Sequence, residues 1–185
     1  STVVIVGGSQ GAQQLNDFIL NALVQVVQKG WNVIHQTGDR NFADVKKEIE
    51  RYMTEGKDSY APAIAGQYRV YAFLPENQLA AAYGAADVVV TRASAWALSE
   101  LSYLRKPMIV VPLAGSANDH QQENARELEK FCAVVVDGAN LAPSLVIDHM
   151  ERLTHQDNAA AIADRIRLFA KADSAEQIAK VLLGA

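Results

Sequence analysis

Three short stretches hold residues whose types and spacing suit chemistry. The first, Val3-Val4-Ile5-Val6-Gly7-Gly8-Ser9-Gln10-Gly11-Ala12, reads as a buried strand turning through glycines into a helix. Glycines let a backbone approach a ligand closely. A helix start aims unpaired N–H groups and the positive end of its dipole at the same spot, so the junction suits an anion such as phosphate. Several readings compete for it. A dinucleotide fingerprint is not met, because Val6 stands where a glycine is needed and Trp31 and Asn32 occupy the place of the ribose-binding acid. Gly7-Gly8-Ser9-Gln10-Gly11 does match the G-x-S-x-G nucleophile elbow, although few residues precede it to build the earlier strands of a hydrolase. The remaining readings are a phosphate turn of a non-dinucleotide Rossmann-like domain and a glycine turn that only packs a helix onto a sheet.

The second stretch is Thr91-Arg92-Ala93-Ser94-Ala95-Trp96-Ala97-Leu98-Ser99-Glu100, after the apolar run Asp87–Val90. Small residues at Ala93, Ser94 and Ala95 allow close approach at a helix start, with Ser94 as its N-cap. Glu100 lies four residues after Trp96, so both project from one helix face. A carboxylate there can accept two hydroxyl hydrogen bonds, as from a ribose; the alternative is an ordinary solvated glutamate. The third stretch, Pro112 to Ala125, contains Asp119-His120-Gln121-Gln122. Asp119 with Gln122 resembles a capping box, and His120 and Gln121 then fall in the first turn, where neutral donors and acceptors suit a sugar's hydroxyls. His120 is also a candidate base, since imidazole titrates near neutrality. The other histidines, His35, His149 and His155, are scattered, and no metal-ligand spacing appears.

These loops need a scaffold. The chain has 185 residues, half of them hydrophobic, which fits one domain over residues 1–185 with a two-sided core. A net charge of −4 gives no argument for nucleic acid. The single cysteine, Cys132, lies in an apolar run and reads as a small core hydrophobe in a cytoplasmic setting. No apolar run approaches the roughly 18 residues of a membrane-spanning helix. Strands are expected at Val3–Val6, Asn32–Gln36, Tyr68–Phe73, Asp87–Thr91, Met108–Pro112 and Ala133–Val136. Helices are expected near Gly11–Gln28, Phe42–Thr54, Leu79–Tyr83, Ala95–Leu104, His120–Phe131, Ala142–Leu153, Ala159–Ala170 and Ala175–Leu183. Glu55–Gly66 reads as a surface loop, and Asp173 with Glu176 as a capping box. The alternation predicts an α/β, Rossmann-like three-layer domain with a mostly parallel sheet of about six strands. Ligands of such sheets bind beyond the carboxyl ends of the strands. A core strand beginning at once reads as an excised domain or one half of a two-part enzyme.

Taken in order, Gly7 to Ala12, His35-Gln36-Thr37-Gly38, Ala86 to Arg92, Ser99-Glu100-Leu101, Lys106-Pro107, Asp119-His120-Gln121 and Asn124-Ala125 resemble the C-terminal domain of MurG-type glycosyltransferases, over nearly the whole chain. The resemblance implies one half of a two-domain GT-B enzyme. Its C-terminal domain binds UDP-N-acetylglucosamine, and its N-terminal domain, absent here, binds a lipid-linked muramyl-pentapeptide at the cytoplasmic membrane face. Transfer would proceed with inversion, with no cofactor and no obligatory metal, and membrane contact would come only through the absent half. By matching motif, Gly8, Ser9, Gln10 and Gly11 would meet phosphate, and Leu74 would offer backbone groups to the uracil edge. Arg92, Ser94, Ala95 and Trp96 would surround the diphosphate at a helix start. Glu100 would bind the ribose hydroxyls, and His120 and Gln121 would read the N-acetylglucosamine. Departures from the family's Arg-x-Gly-Ala pattern are Ser94 in place of glycine, the bulky Trp96, and Ala97 without the usual hydroxyl, a loss of about 0.5–1.5 kcal/mol of diphosphate binding. Two other classes stay open: the nucleotide-sugar-binding subunit of a split glycosyltransferase, and a serine hydrolase using Ser9.

Overall fold

A computed structural model describes residues 1–8, 12–55, 60–112, 120–171 and 173–184. Six strands form one parallel sheet: β1 (Thr2–Val6), β2 (Asn32–Gln36), β3 (Tyr68–Tyr71), β4 (Val88–Thr91), β5 (Met108–Val110) and β6 (Val134–Val135). Their order is β3-β2-β1-β4-β5-β6. The β1 and β4 side chains alternate between two buried faces, which is why these strands read as unbroken apolar runs. Val3 and Ile5 join one core with Val88 and Val90, while Val4 and Val6 join the other with Val89.

Helices cover both faces. On the first lie α1 (Gln13–Gln28), α2 (Phe42–Glu55), α3 (Ala61–Gln67) and α7 (Pro143–Thr154). On the second lie α4 (Glu76–Ala85), α5 (Ala95–Tyr103), α6 (His120–Glu129) and α8 (Gln156–Arg167). In α1, Leu15, Phe18, Ile19, Ala22, Leu23 and Val26 recur at helical spacing and are all buried. The helix ends at Gly30, whose φ of +78° suits glycine, with Gly30 and Trp31 amides donating back to the Val27 and Val26 carbonyls. The last helix, α9 (Ser174–Leu183), leaves every residue exposed.

Three expectations need correction. The segment expected as a loop up to Gly66 contains α3, because Pro62 sits in the helix's first turn, where a missing N–H is harmless. The capping box at α9 is not made: Asp173 instead accepts from the Gln177 side chain at 2.6 Å, and Glu176 pairs with Lys180 at 2.8 Å. Cys132 is half-buried in the turn after α6 with a φ of +68°, so it is a turn residue rather than a core one. Asp119, the first half of the other expected capping box, lies outside the described residues. Strand ends also come in by one or two residues at β3, β4, β5 and β6.

Candidate active site

The chain leaves β1 toward β2 and later returns to pair β4 on the other side of β1, so a topological switch point lies between β1 and β4. The carboxyl ends of these two strands are joined. Val6 and Thr91 are register partners, and the Thr91 hydroxyl donates to the Val6 carbonyl oxygen at 3.3 Å. Arg92 Nη1 donates to the Gly7 carbonyl oxygen at 3.3 Å. The half-buried guanidinium is pushed below its ordinary pKa by desolvation. Gly8 is exposed with a φ of +80°, a conformation that disfavours a side chain. Ser9, Gln10 and Gly11 lie outside the described residues. Beyond them α1 begins after Ala12 with no side-chain cap and no acid in its first turn.

The second helix start at this edge shares that electrostatic character. In α5 the Ser94 hydroxyl accepts from the Ala97 amide at 3.4 Å, as expected of an N-cap, and the first turn again holds no acid. By contrast α2, α4 and α6 carry Asp44, Glu76 and Glu123 in their first turns. Two helix dipoles thus keep their positive ends uncompensated where β1 and β4 finish. Ala95 is exposed, and Trp96 stands 83% exposed in the first turn of α5.

Trp96 and Glu100 do share a face: both line a cavity of about 680 Å³ with Asn124, Glu127, Phe131 and Lys171. Glu100 is half-buried, and its carboxyl is raised above the ordinary carboxylate pKa, first by desolvation and then by the negative charge of Glu76. On the far side, α6 opens with His120 exposed and Gln121 half-buried. Asn124 Nδ2 donates to the Ala93 carbonyl oxygen at 3.0 Å, tying α6 to the loop after β4.

Leu74 is buried, and its amide N–H donates to Gln36 Oε1 at 3.0 Å. The Leu74 amide is thus engaged within the protein by Gln36. Sequence reading also missed what His35 does. The imidazole is fully buried, with Nδ1 2.8 Å from the Tyr68 hydroxyl and Nε2 2.9 Å from Asn16 Oδ1. Asn16 Nδ2 donates to the Thr37 carbonyl oxygen at 3.2 Å, tying the first turn of α1 to the loop after β2. The signal was a histidine next to the apolar pair Val33-Ile34 of β2, but its partners lie 19 and 33 residues away. Other motif residues hold the opposite end of the sheet. Asp87 accepts from the Thr2 amide at 2.8 Å, and Lys106 Nζ donates to the Gly84 and Ala86 carbonyl oxygens at 3.2 and 2.9 Å.

The model of the glycosyltransferase family 28 C-terminal domain matches residues 2–178. Among curated relatives is the UDP-N-acetylglucosamine--N-acetylmuramyl-(pentapeptide) pyrophosphoryl-undecaprenol N-acetylglucosamine transferase of Sorangium cellulosum, 35% identical over 98% of this chain and 43% of that protein. The like-named protein of Desulfotalea psychrophila is 35% identical over 97% of this chain and 46% of its own length. The chain thus spans about half the length of the curated relatives it matches. Among solved structures, Acinetobacter baumannii MurG superposes with a TM-score of 0.79 at 24% identity, over all of this chain and 50% of that one. ALG13 superposes at 0.55 and 16% identity, over 89% of this chain and 95% of that one. Both show the fold. The nucleophile-elbow reading of Ser9 gains nothing from these likenesses: the family matched is a glycosyltransferase one.

Proposed function

The chain belongs to the glycosyltransferase family 28 C-terminal domain family, and from that premise we propose that it is the donor-binding half of an inverting N-acetylglucosaminyltransferase of peptidoglycan synthesis. The donor is UDP-N-acetylglucosamine, and the acceptor is a lipid-linked muramyl-pentapeptide held by the other half at the cytoplasmic membrane face. The relatives' names supply both substrates. The observation that supports the reading is the pair of acid-free helix starts, α1 and α5, which follow β1 and β4 on the two sides of the switch point, with half-buried Glu100 farther along α5.

The arrangement fits the reaction. As the acceptor oxygen bonds to the anomeric carbon, the carbon–oxygen bond to the diphosphate breaks and UDP leaves with the electron pair. Negative charge grows on the diphosphate, and fixed N–H dipoles at the helix starts stabilise it. Ser94 and Ala95 at the start of α5, with Gly7 and Gly8 after β1, surround that charge. Glu100 accepts the ribose hydroxyls, and His120 and Gln121 meet the sugar. The acceptor and the group that takes its proton belong to the other half, so this chain alone binds donor and transfers nothing.

Calorimetric titration of UDP-N-acetylglucosamine into wild type and Glu100→Ala tests this. Loss of two hydrogen bonds to a carboxylate, about 1.5–3 kcal/mol each, weakens binding by roughly 100-fold or more. Equal affinities remove Glu100 from the site, and a wild-type chain that ignores the nucleotide sugar ends the reading. A second reading, a subunit working with a separate membrane-bound partner, draws on the occurrence of this fold as nearly the whole of one solved chain. Co-purification of an acceptor-binding protein with the native chain favours it.

A further inference from the structure

We propose that Asn16 is a positioning residue for the diphosphate: its side chain fastens the uncapped start of α1 to the loop after β2, so that the first amides of the helix stay aimed at an anion. The inference rests on the donor-site reading above and names the side chain that holds one of its two helix starts.

A helix start is ordinarily steadied by a side chain at the N-cap, which also takes up one of the unpaired amides. In α1 that position is Ala12, whose methyl group accepts no hydrogen bond. The amides of Gln13, Gln14 and Leu15 precede the first bond of the helix, from the Asn16 amide to the Ala12 carbonyl oxygen at 3.0 Å, and no cap side chain claims them. The restraint comes from beneath instead. Asn16 is fully buried, where an apolar residue would continue the stripe of Ile19 and Leu23. A buried amide must be paired at both ends. Asn16 Nδ2 donates to the Thr37 carbonyl oxygen at 3.2 Å, and Oδ1 meets His35 Nε2 at 2.9 Å. Thr37 is itself held: its amide donates to the Tyr71 carbonyl oxygen at 3.0 Å, and its carbonyl oxygen also accepts from Asn41 Nδ2 at 3.3 Å. The anchor is therefore part of the carboxyl edge of the sheet, one strand over from β1. On the other flank, the Gln14 side chain lies against Gly138 in the turn after β6, where even a Cβ would collide with the Gln14 amide group.

The consequence is directional. A helix start binds an anion through N–H groups aimed at one point, and each hydrogen bond weakens steeply as its angle closes below about 120°. A cap would fix the aim and consume a donor. Asn16 fixes it and leaves the donors, because it acts through its own side chain after the first amides have passed. The Tyr68 hydroxyl, 2.8 Å from His35 Nδ1, completes the same buried chain without touching α1. That difference separates positioning from stability.

Two variants exploit it. Asn16→Leu keeps the volume and removes both bonds; Tyr68→Phe removes the far hydroxyl and leaves Asn16 tied to Thr37. Both should lower the urea midpoint. In calorimetry, Asn16→Leu should bind inorganic pyrophosphate and UDP about 3- to 10-fold more weakly than wild type, with uridine affinity unchanged by NMR titration, while Tyr68→Phe should bind all three as wild type does. Unchanged pyrophosphate affinity in Asn16→Leu overturns the proposal. An equal loss in Tyr68→Phe does so too, since the effect would then follow stability. Should Asn16→Leu not fold, wild type decides by NMR: pyrophosphate must shift the Gln13, Gln14 and Leu15 amide resonances while the Asn16 side-chain protons stay protected, and an α1 start that ignores bound pyrophosphate overturns the proposal. A wild type that binds pyrophosphate at α1 but not UDP-N-acetylglucosamine instead brings down the donor-site reading and leaves Asn16 its role, whereas one that binds neither brings down both.

Discussion

His35 occupies a position where an apolar side chain would fit the strand, yet both its ring nitrogens are satisfied, and the network dictates its tautomer. Because Asn16 Nδ2 donates to the Thr37 carbonyl, Asn16 Oδ1 faces the ring and Nε2 must carry the proton. Nδ1 is then the acceptor of the Tyr68 hydroxyl. A second proton would break that bond, and burial already pushes the pKa from 6.5 to about 3. The unfolded chain takes up the proton near pH 6.5 and the folded chain only near 3, so between these values the unfolded state binds more protons. Stability from the neutral ring is therefore complete above 6.5 and falls with pH, by about 2 kcal/mol between pH 7 and 5. Urea denaturation of wild type and His35→Gln at pH 7.5 and 5.0 checks this. The wild type should lose that much more than the variant on acidification, whereas parallel losses would show that the ring does not carry the effect. Such residues resist reading from sequence. Glu100 was legible because helical spacing pairs it with Trp96, but the fixing of His35 by Tyr68, and of Leu74 by Gln36, requires strand register.

At the scale of elements, local chemistry declared most of the fold. The strands announced themselves by β-branched runs because both faces of β1 and β4 are buried. Helix α3 escaped because Pro62 was weighed as a breaker, although its position in the first turn makes it a helix starter. The end of α5 shows the converse, a helix stop without its usual residue. Arg105 has a φ of +57°; its amide donates to the Ser102 carbonyl at 3.1 Å, and the Lys106 amide to the Leu101 carbonyl at 2.9 Å. These two bonds make a Schellman closure whose left-handed residue is usually glycine. The side chain at that position costs about 1–2 kcal/mol, partly offset by the greater unfolded-state freedom of glycine. The exposed pair of Arg105 with Asp164 adds little. Arg105→Gly is therefore expected to stabilise the domain by about 0.5–1 kcal/mol, read as a higher denaturation midpoint at unchanged slope. A lower midpoint would mean that the ion pair outweighs the backbone.

For the molecule as a whole, the site exists only when the sheet is assembled. Gly7 and Arg92 meet across 85 residues, and Asn124 reaches Ala93 across 31. These contacts join segments far apart along the chain, which is why the single motifs were ambiguous in sequence while their order along the chain was not. The switch point could be foreseen from strand-helix alternation; which helix starts lack acids at that edge depended on where each helix begins. Binding of the proposed donor is then expected to be linked to global folding. A ligand that binds only the assembled sheet adds about 2.7 kcal/mol of stability at a hundredfold excess over its Kd. Amides that exchange only through global unfolding, those of β1 and β4, should slow by about 100-fold under these conditions. Helix α9 is exposed along its entire length and is expected to open on its own, so its amides should exchange at the same rate with or without UDP-N-acetylglucosamine. Hydrogen exchange followed by mass spectrometry separates the two populations, and Glu100→Ala at the same nucleotide concentration should lose most of the slowing in β1 and β4. Protection confined to the residues around the glycine turn, with β1 and β4 unchanged, would mean that one loop binds the nucleotide without the rest of the rim.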